Sequence, residues 1–162
     1  MTMPRARIIA STCLAPVLLV AAGGGAFAQQ VNLSNTRGLD FGRFAASSGG
    51  SVTLGPGGLR SRTGGVVLLN SPSAGQASFA VSKFSNGSGN KSVVITLPAN
   101  GSTRLASGAN SMAVGSFVSS PASIQTIPSS GLTMGVGATL TVAPNQAPGN
   151  YSGSFSLIVN YQ

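Results

Sequence analysis

The sequence predicts an all-β chain folded as an immunoglobulin-like antiparallel β-sandwich, and three observations carry that reading. Short apolar runs recur through residues 29–162, each bounded by Gly, Asn, Pro or Ser. None of them repeats with the 3.6-residue period of an amphipathic helix. The last fourteen residues alternate instead: Tyr151, Phe155, Leu157, Val159 and Tyr161 are apolar or aromatic, and the even positions are Ser or Asn apart from Ile158. Side chains of a strand point alternately to opposite faces. Many short strands with turn residues between them indicate a sandwich or barrel.

Taken in order, residues 1–28 read as a cleaved signal peptide. Arg5 and Arg7 form a charged start, Ile8 to Ala22 is largely apolar, and Ala26-Phe27-Ala28 has the small-residue pattern of a cleavage site. Ser11, Thr12 and Pro16 interrupt the apolar run before Gly23-Gly24-Gly25, leaving it short of the ~20 residues that a membrane span needs. No later segment could cross a bilayer as a helix. Residues 29–162 are expected to form a single β-sandwich domain. Its candidate strands are Leu39–Phe44, Val52–Leu54, Val66–Leu69, Ala77–Val81, Ser92–Leu97, Ser111–Val118, Leu132–Val136, Ala138–Val142 and Tyr151–Tyr161. Turns are expected at Gly55-Pro56-Gly57-Gly58, Asn70-Ser71-Pro72, Asn86-Gly87, Asn100-Gly101 and from Pro144 to Gly149. Asn-Gly favours tight hairpins because both central residues take positive φ.

The terminal strand carries the largest local signal. Burying four or five of its apolar side chains would stabilise the fold by about 8–12 kcal/mol, so it is expected to be a central element. Just before it, Leu140-Thr141-Val142, a Pro-containing turn and Gly149-Asn150-Tyr151 resemble the tyrosine corner of sandwich folds. Tyr151 is therefore read as structural rather than catalytic.

The inventory of chemistry-bearing groups is nearly empty. The chain has no His, and Asp40 is its only acid. Paired-carboxylate hydrolysis within one subunit is excluded, and a Ser-His-Asp triad lacks its base. Cys13 lies inside the leader and precedes its apolar run, so lipidation is not expected and residues 29–162 hold no thiol. No cofactor is expected, and no tight metal site, because Asp40 would have only neutral oxygens beside it. Asp40 is expected to cap a turn or to pair with Arg37 or Arg43. Ser88-Gly89-Asn90-Lys91 matches S-x-x-K, but no helix follows it and no Lys-Thr-Gly partner exists. An enzyme is not expected. The formal charge is +8, and losing Arg5 and Arg7 would leave about +6. The cations are scattered rather than clustered, which argues against a nucleic-acid module. General attraction to anionic envelope surfaces is compatible with that charge.

Leu39-Asp40-Phe41-Gly42-Arg43-Phe44, Arg62-Thr63-Gly64-Gly65-Val66, Leu140-Thr141-Val142 and Gly149-Asn150-Tyr151-Ser152-Gly153 resemble a bacterial secreted family, domain of unknown function 4402. The C-terminal strand is also similar to that of chaperone–usher fimbrial subunits: a Gly fourteen residues from the end, alternating apolar positions and a penultimate aromatic. The matching positions are Gly149, Phe155, Leu157, Val159 and Tyr161. That resemblance implies export through the inner membrane, transit through the periplasm with a chaperone and an usher, and self-association into surface fibres by β-strand addition. Val31 and Leu33 would be the donor anchors of such a subunit. The alternative is that Val31 and Leu33 open the first strand of a self-complete sandwich, a secreted coat or adhesin-like binding module that does not polymerise. Lectin-like binding would favour exposed aromatics, for which only Phe44 and Phe84 lie beside loops.

Overall fold

The computed structural model describes residues 31–83 and 92–161. The expected leader, Phe84, Asn86-Gly87 and the Ser88–Lys91 pattern lie outside them. The described residues form nine antiparallel strands and no helix: β1 (Val31–Arg37), β2 (Phe44–Leu54), β3 (Arg60–Leu68), β4 (Ala77–Lys83), β5 (Val93–Thr96), β6 (Thr103–Ser107), β7 (Asn110–Ser120), β8 (Leu132–Val142) and β9 (Ile158–Tyr161). The all-β sandwich expectation holds.

β8 organises the molecule. Its first half pairs with β4, from Val81↔Leu132 to Ala77↔Val136, and its second half with β2, from Leu54↔Ala138 to Gly50↔Val142. β7 pairs across both halves, at residues 135–137 and 139–140 of β8, so it must occupy the opposite edge. β1 extends this sheet beyond β4, β3 beyond β2, and β6 beyond β7. Every second residue of β8 is buried: Met134, Val136, Ala138, Leu140 and Val142. One face of a single strand thus serves two cores. The first core gathers Phe41, Val52, Leu54, Val66, Met112 and Val114 around Ala138, Leu140 and Val142. The second gathers Ala77, Phe79, Val81, Val93, Ile124 and Ile127 around Met134 and Val136.

The first core is closed by the β2–β3 hairpin folding over itself. A straight pairing would put Arg60 and Leu69 about 30 Å apart. Yet Arg60 Nη2 donates to the Leu69 carbonyl at 2.6 Å. The bend lies where four residue steps on β2, Ala46 to Gly50, face two on β3, Val66 to Gly64. Such bulges turn strands at sandwich corners. Gly64 has φ +64°, and a Cβ there would strike the Gly49 carbonyl. Arg62 Nη1 spans the bulge to the Val66 carbonyl at 2.8 Å. The Arg62–Val66 motif is therefore the sequence of a corner. The second core is covered by the two-stranded β5–β9 sheet and by Ile124 and Ile127.

Several strand expectations need correction. Leu39–Phe44 is not a strand; Asp40 makes only an isolated bridge to Gly75, and β2 begins at Phe44. The Leu132–Val136 and Ala138–Val142 segments are one strand, because Gly137 does not break it. The glycine lets the chain leaving β2 cross close by, since a Cβ at Gly137 would meet the Leu54 carbonyl. Asn100-Gly101 makes a turn but no hairpin, for β5 pairs with β9 and β6 with β7. β6, Thr103–Ser107, is an additional strand: its burial alternates, but its inward ends, Thr103 and Ser107, are polar and carry no apolar signal. The terminal strand is shorter than its pattern: apart from an isolated Ser152–Ala106 bridge, only Ile158–Tyr161 pairs, and its inward side chains are half-buried rather than central to a core.

Candidate strand-addition site

The C-terminal segment serves both cores in turn. Tyr151 packs on the first core, and its hydroxyl donates to the Ala147 carbonyl at 2.6 Å while accepting from Gln146 Nε2 at 2.8 Å. Ser152 then bridges Ala106 of β6 through two backbone bonds. Gly149 lies against Ser107, where a Cβ would crowd the serine hydroxyl. Gly149 and Tyr151 are thus set apart from β9, on the other core. Phe155 sits between them and β9, its ring 5.2 Å from that of Phe117 and 6.3 Å from that of Phe79. Leu157, Val159 and Tyr161 pack on the second core, as do Val31 and Leu33. Of the expected partner-strand residues, the structure gathers Val31, Leu33, Phe155, Leu157, Val159 and Tyr161 on that core.

Val31 and Leu33 reach it as part of this chain's own sheet. Val31 pairs with Lys83 and Leu33 with Val81. β1 is the margin of the large sheet and lies beside β9, the margin of the small one. The backbone of β9 decides what its margin offers. The Val93 N–H goes to the Ile124 carbonyl at 2.7 Å, away from β9. A residue in an antiparallel ladder turns its N–H and C=O to one side and its neighbour turns them to the other. Val94↔Asn160 and Thr96↔Ile158 are then the hydrogen-bonded pairs of the β5–β9 register. Val159 and Tyr161 turn their N–H and C=O to the outer edge. The same residues whose side chains enter the core thus turn their main-chain groups away from β5. Sequence alternation identifies the side chains, but no sequence signal identifies β5 as the pairing partner, which leaves this edge without a ladder partner among the described residues.

Strand margins are commonly protected by charge or by bulges. β3 carries Arg60 and Arg62 on its margin and β1 carries Arg37. β6 carries Arg104 and is bridged by Ser152. β9, Ile-Val-Asn-Tyr, has no charge, and Ile158 is 53% exposed.

Among the described residues no group of three His, Cys, Asp or Glu could hold a metal. Asp40 accepts from the Gly42 N–H at 2.7 Å, the turn-capping alternative for this residue. Two open clefts, about 200 Å³ beside β5 and about 220 Å³ beside the β7 bulge, are smaller than the ~300–1,000 Å³ of ordinary small-molecule sites. Phe44 packs against the first core and is no stacking platform. No described helix is long and apolar enough to cross a membrane.

Among known proteins, no curated protein and no solved structure matches this chain. One family model, described as domain of unknown function (DUF4402), matches residues 31–161. That span contains all four segments whose sequence resembled the family, together with the corner at Gly64, the Tyr151 turn and β9. The chain belongs to the DUF4402 family.

Proposed function

We propose that this chain is a non-enzymatic, exported structural subunit of the cell surface that is joined to partners by β-strand addition along β9. The observation that carries the reading is the outer edge of β9. It is uncharged, its Val159 and Tyr161 main-chain groups point outward, and its side chains alternate in the way a partner strand would be read. In strand addition, backbone hydrogen bonds supply affinity and alternate side-chain positions supply specificity. A second layer of only two strands is marginal by itself and would gain from a third. Export, with a periplasmic chaperone and usher, is part of the same proposal. It is supported by the sequence of residues 1–28 and by the fimbrial-like C-terminal pattern.

The in-chain pairing of Val31 and Leu33 with β4 favours a second reading. On that reading β1 completes the subunit's own sheet, and the protein is a secreted coat or binding module.

Unheated SDS gels of the purified protein, run beside size-exclusion chromatography, separate the two readings. A ladder of SDS-resistant oligomers that collapses on boiling is the expected result for strand addition between subunits. A lone monomer that unfolds cooperatively and refolds unaided would sink the fibre reading.

A further inference from the structure

One end of the molecule carries charge and apolar surface that strand addition does not use. It is built from the turn between β2 and β3 and from the two loops joined by the Asp40–Gly75 bridge. Arg37 Nη2 donates to the Ser73 carbonyl at 2.7 Å, and its guanidinium lies over Gly75. Arg60 donates to the carbonyls of Phe41 at 3.0 Å, Arg43 at 3.4 Å and Leu69 at 2.6 Å. Its guanidinium lies over Gly42, which also faces Ala74. Ala74 stands between the two residues that Arg37 touches, so the two guanidiniums flank one tripeptide. Arg43 adjoins them and is exposed. The turn before β3 belongs to the same end, because Gly58 faces the Gln76 side-chain amide, next to Gly75.

At the base of that turn, where its carbonyl accepts the Gly55 N–H at 2.8 Å, Leu59 is 81% exposed, and Leu69, held through its carbonyl by Arg60, is 41% exposed. The one acid nearby, Asp40, is turned onto the Gly42 N–H. A lone exposed leucine is ordinary, and arginines alone would suit any polyanion. An exposed leucine that closes a turn beside guanidiniums suits a narrower partner. An anionic lipid surface takes an apolar residue at its headgroup–acyl boundary and attracts cations to its phosphates. Arginines already held by carbonyls lose little further freedom on binding.

We propose that this end docks on anionic lipid headgroups. Leu59 is the inserting residue, Arg37 and Arg43 face phosphate, and Arg60 fixes the loops and adds charge. The proposal uses none of the groups of β9 and stands or falls apart from strand addition.

The chain contains no tryptophan, so a Leu59→Trp variant of the full-length protein reports from this position alone, whatever the apolar N-terminal segment does. With vesicles of phosphatidylcholine and phosphatidylglycerol its emission should shift to the blue, and with phosphatidylcholine alone it should not. An unshifted spectrum at saturating vesicles overturns the proposal. Vesicle co-sedimentation of Leu59→Ser and Arg43→Gln completes the test. Leu59→Ser should bind about ten-fold more weakly than the parent. Arg43→Gln should bind about five-fold more weakly, only where phosphatidylglycerol is present. Equal binding by all three chains overturns the proposal. Loss with Arg43→Gln but not Leu59→Ser, with equal affinity for duplex DNA, would mean a general polyanion surface and overturns it too.

Discussion

Tyr151 ties the last loop to the first core with one phenol group. Its ring packs against that core, while its hydroxyl closes the turn onto Ala147 and receives Gln146. Removing only the oxygen keeps the packing and leaves the Ala147 carbonyl without this donor. Tyr151→Phe should therefore destabilise the protein by about 1–2 kcal/mol, read as a Tm lower by a few degrees. An unchanged Tm would show that the corner adds nothing to stability. Asp40 and Asn100 work in the same local way. Asp40 caps its own turn, and the Asn100 side-chain oxygen accepts the N–H of Ser116 at 2.6 Å. Ser116 has φ +49° and is the residue at which β7 bulges. Past that bulge the inward positions switch from even, Met112 and Val114, to odd, Phe117. The Asp40 carboxylate and the Asn100 carboxamide are thus accounted for by backbone geometry.

β1 and β9 are the strands on which the functional reading turns. Paired within the chain, β1 contributes Val31 and Leu33 to the second core. Replacing both with Asn should lower the Tm of the isolated subunit by roughly 6–10 °C, from about 3 kcal/mol of lost burial. If the double variant instead melts like the parent but no longer forms oligomers, β1 acts on a neighbouring subunit. For β9, Tyr161→Ser removes the last inward side chain of the segment. Its accumulation after export should fall sharply, measured by immunoblot of the periplasmic fraction. Parental levels would argue against both a core role and a partner-recognition role for Tyr161. β9 is shorter than its alternating pattern because alternation reports which side of a chain is wetted, not whether a neighbour lies within hydrogen-bonding distance. Residues 153–157 keep the alternation and pair with nothing among the described residues.

For the molecule as a whole, the scarcity of titrating groups sets how it responds to its surroundings. Acid unfolding works largely through carboxylates that are paired in the native state and histidines buried uncharged. With no His and Asp40 as the only acid, the folded and unfolded chains bind nearly the same number of protons across neutral pH. The slope of stability against pH is then close to zero. Tm should vary by less than about 3 °C between pH 5 and pH 9, as a calorimetric series would show. A drop of 10 °C or more within that window would contradict this account. The arginines fit the same picture: Arg37, Arg60 and Arg62 bond to main-chain carbonyls rather than depending on acids the chain lacks.

Composition and periodicity were sufficient for the all-β class, the absence of the usual catalytic groups, the inward set of β9 and the corner at Tyr151. These depend on residue type and on spacing within a few positions, and both are local. The long strand β8 shared by two cores, the self-folded β2–β3 hairpin and the in-chain pairing of β1 were decided by tertiary structure. So were the pairing of β9 with β5 alone among the described residues and the gathering of Arg37, Arg43, Arg60 and Leu59 at one end. Each needs segments far apart in sequence to meet, as Asp40 meets Gly75 and Val93 meets Ile124. Alternation specifies a strand's faces, while the neighbours along its two edges are chosen by which other strands the shared core brings alongside.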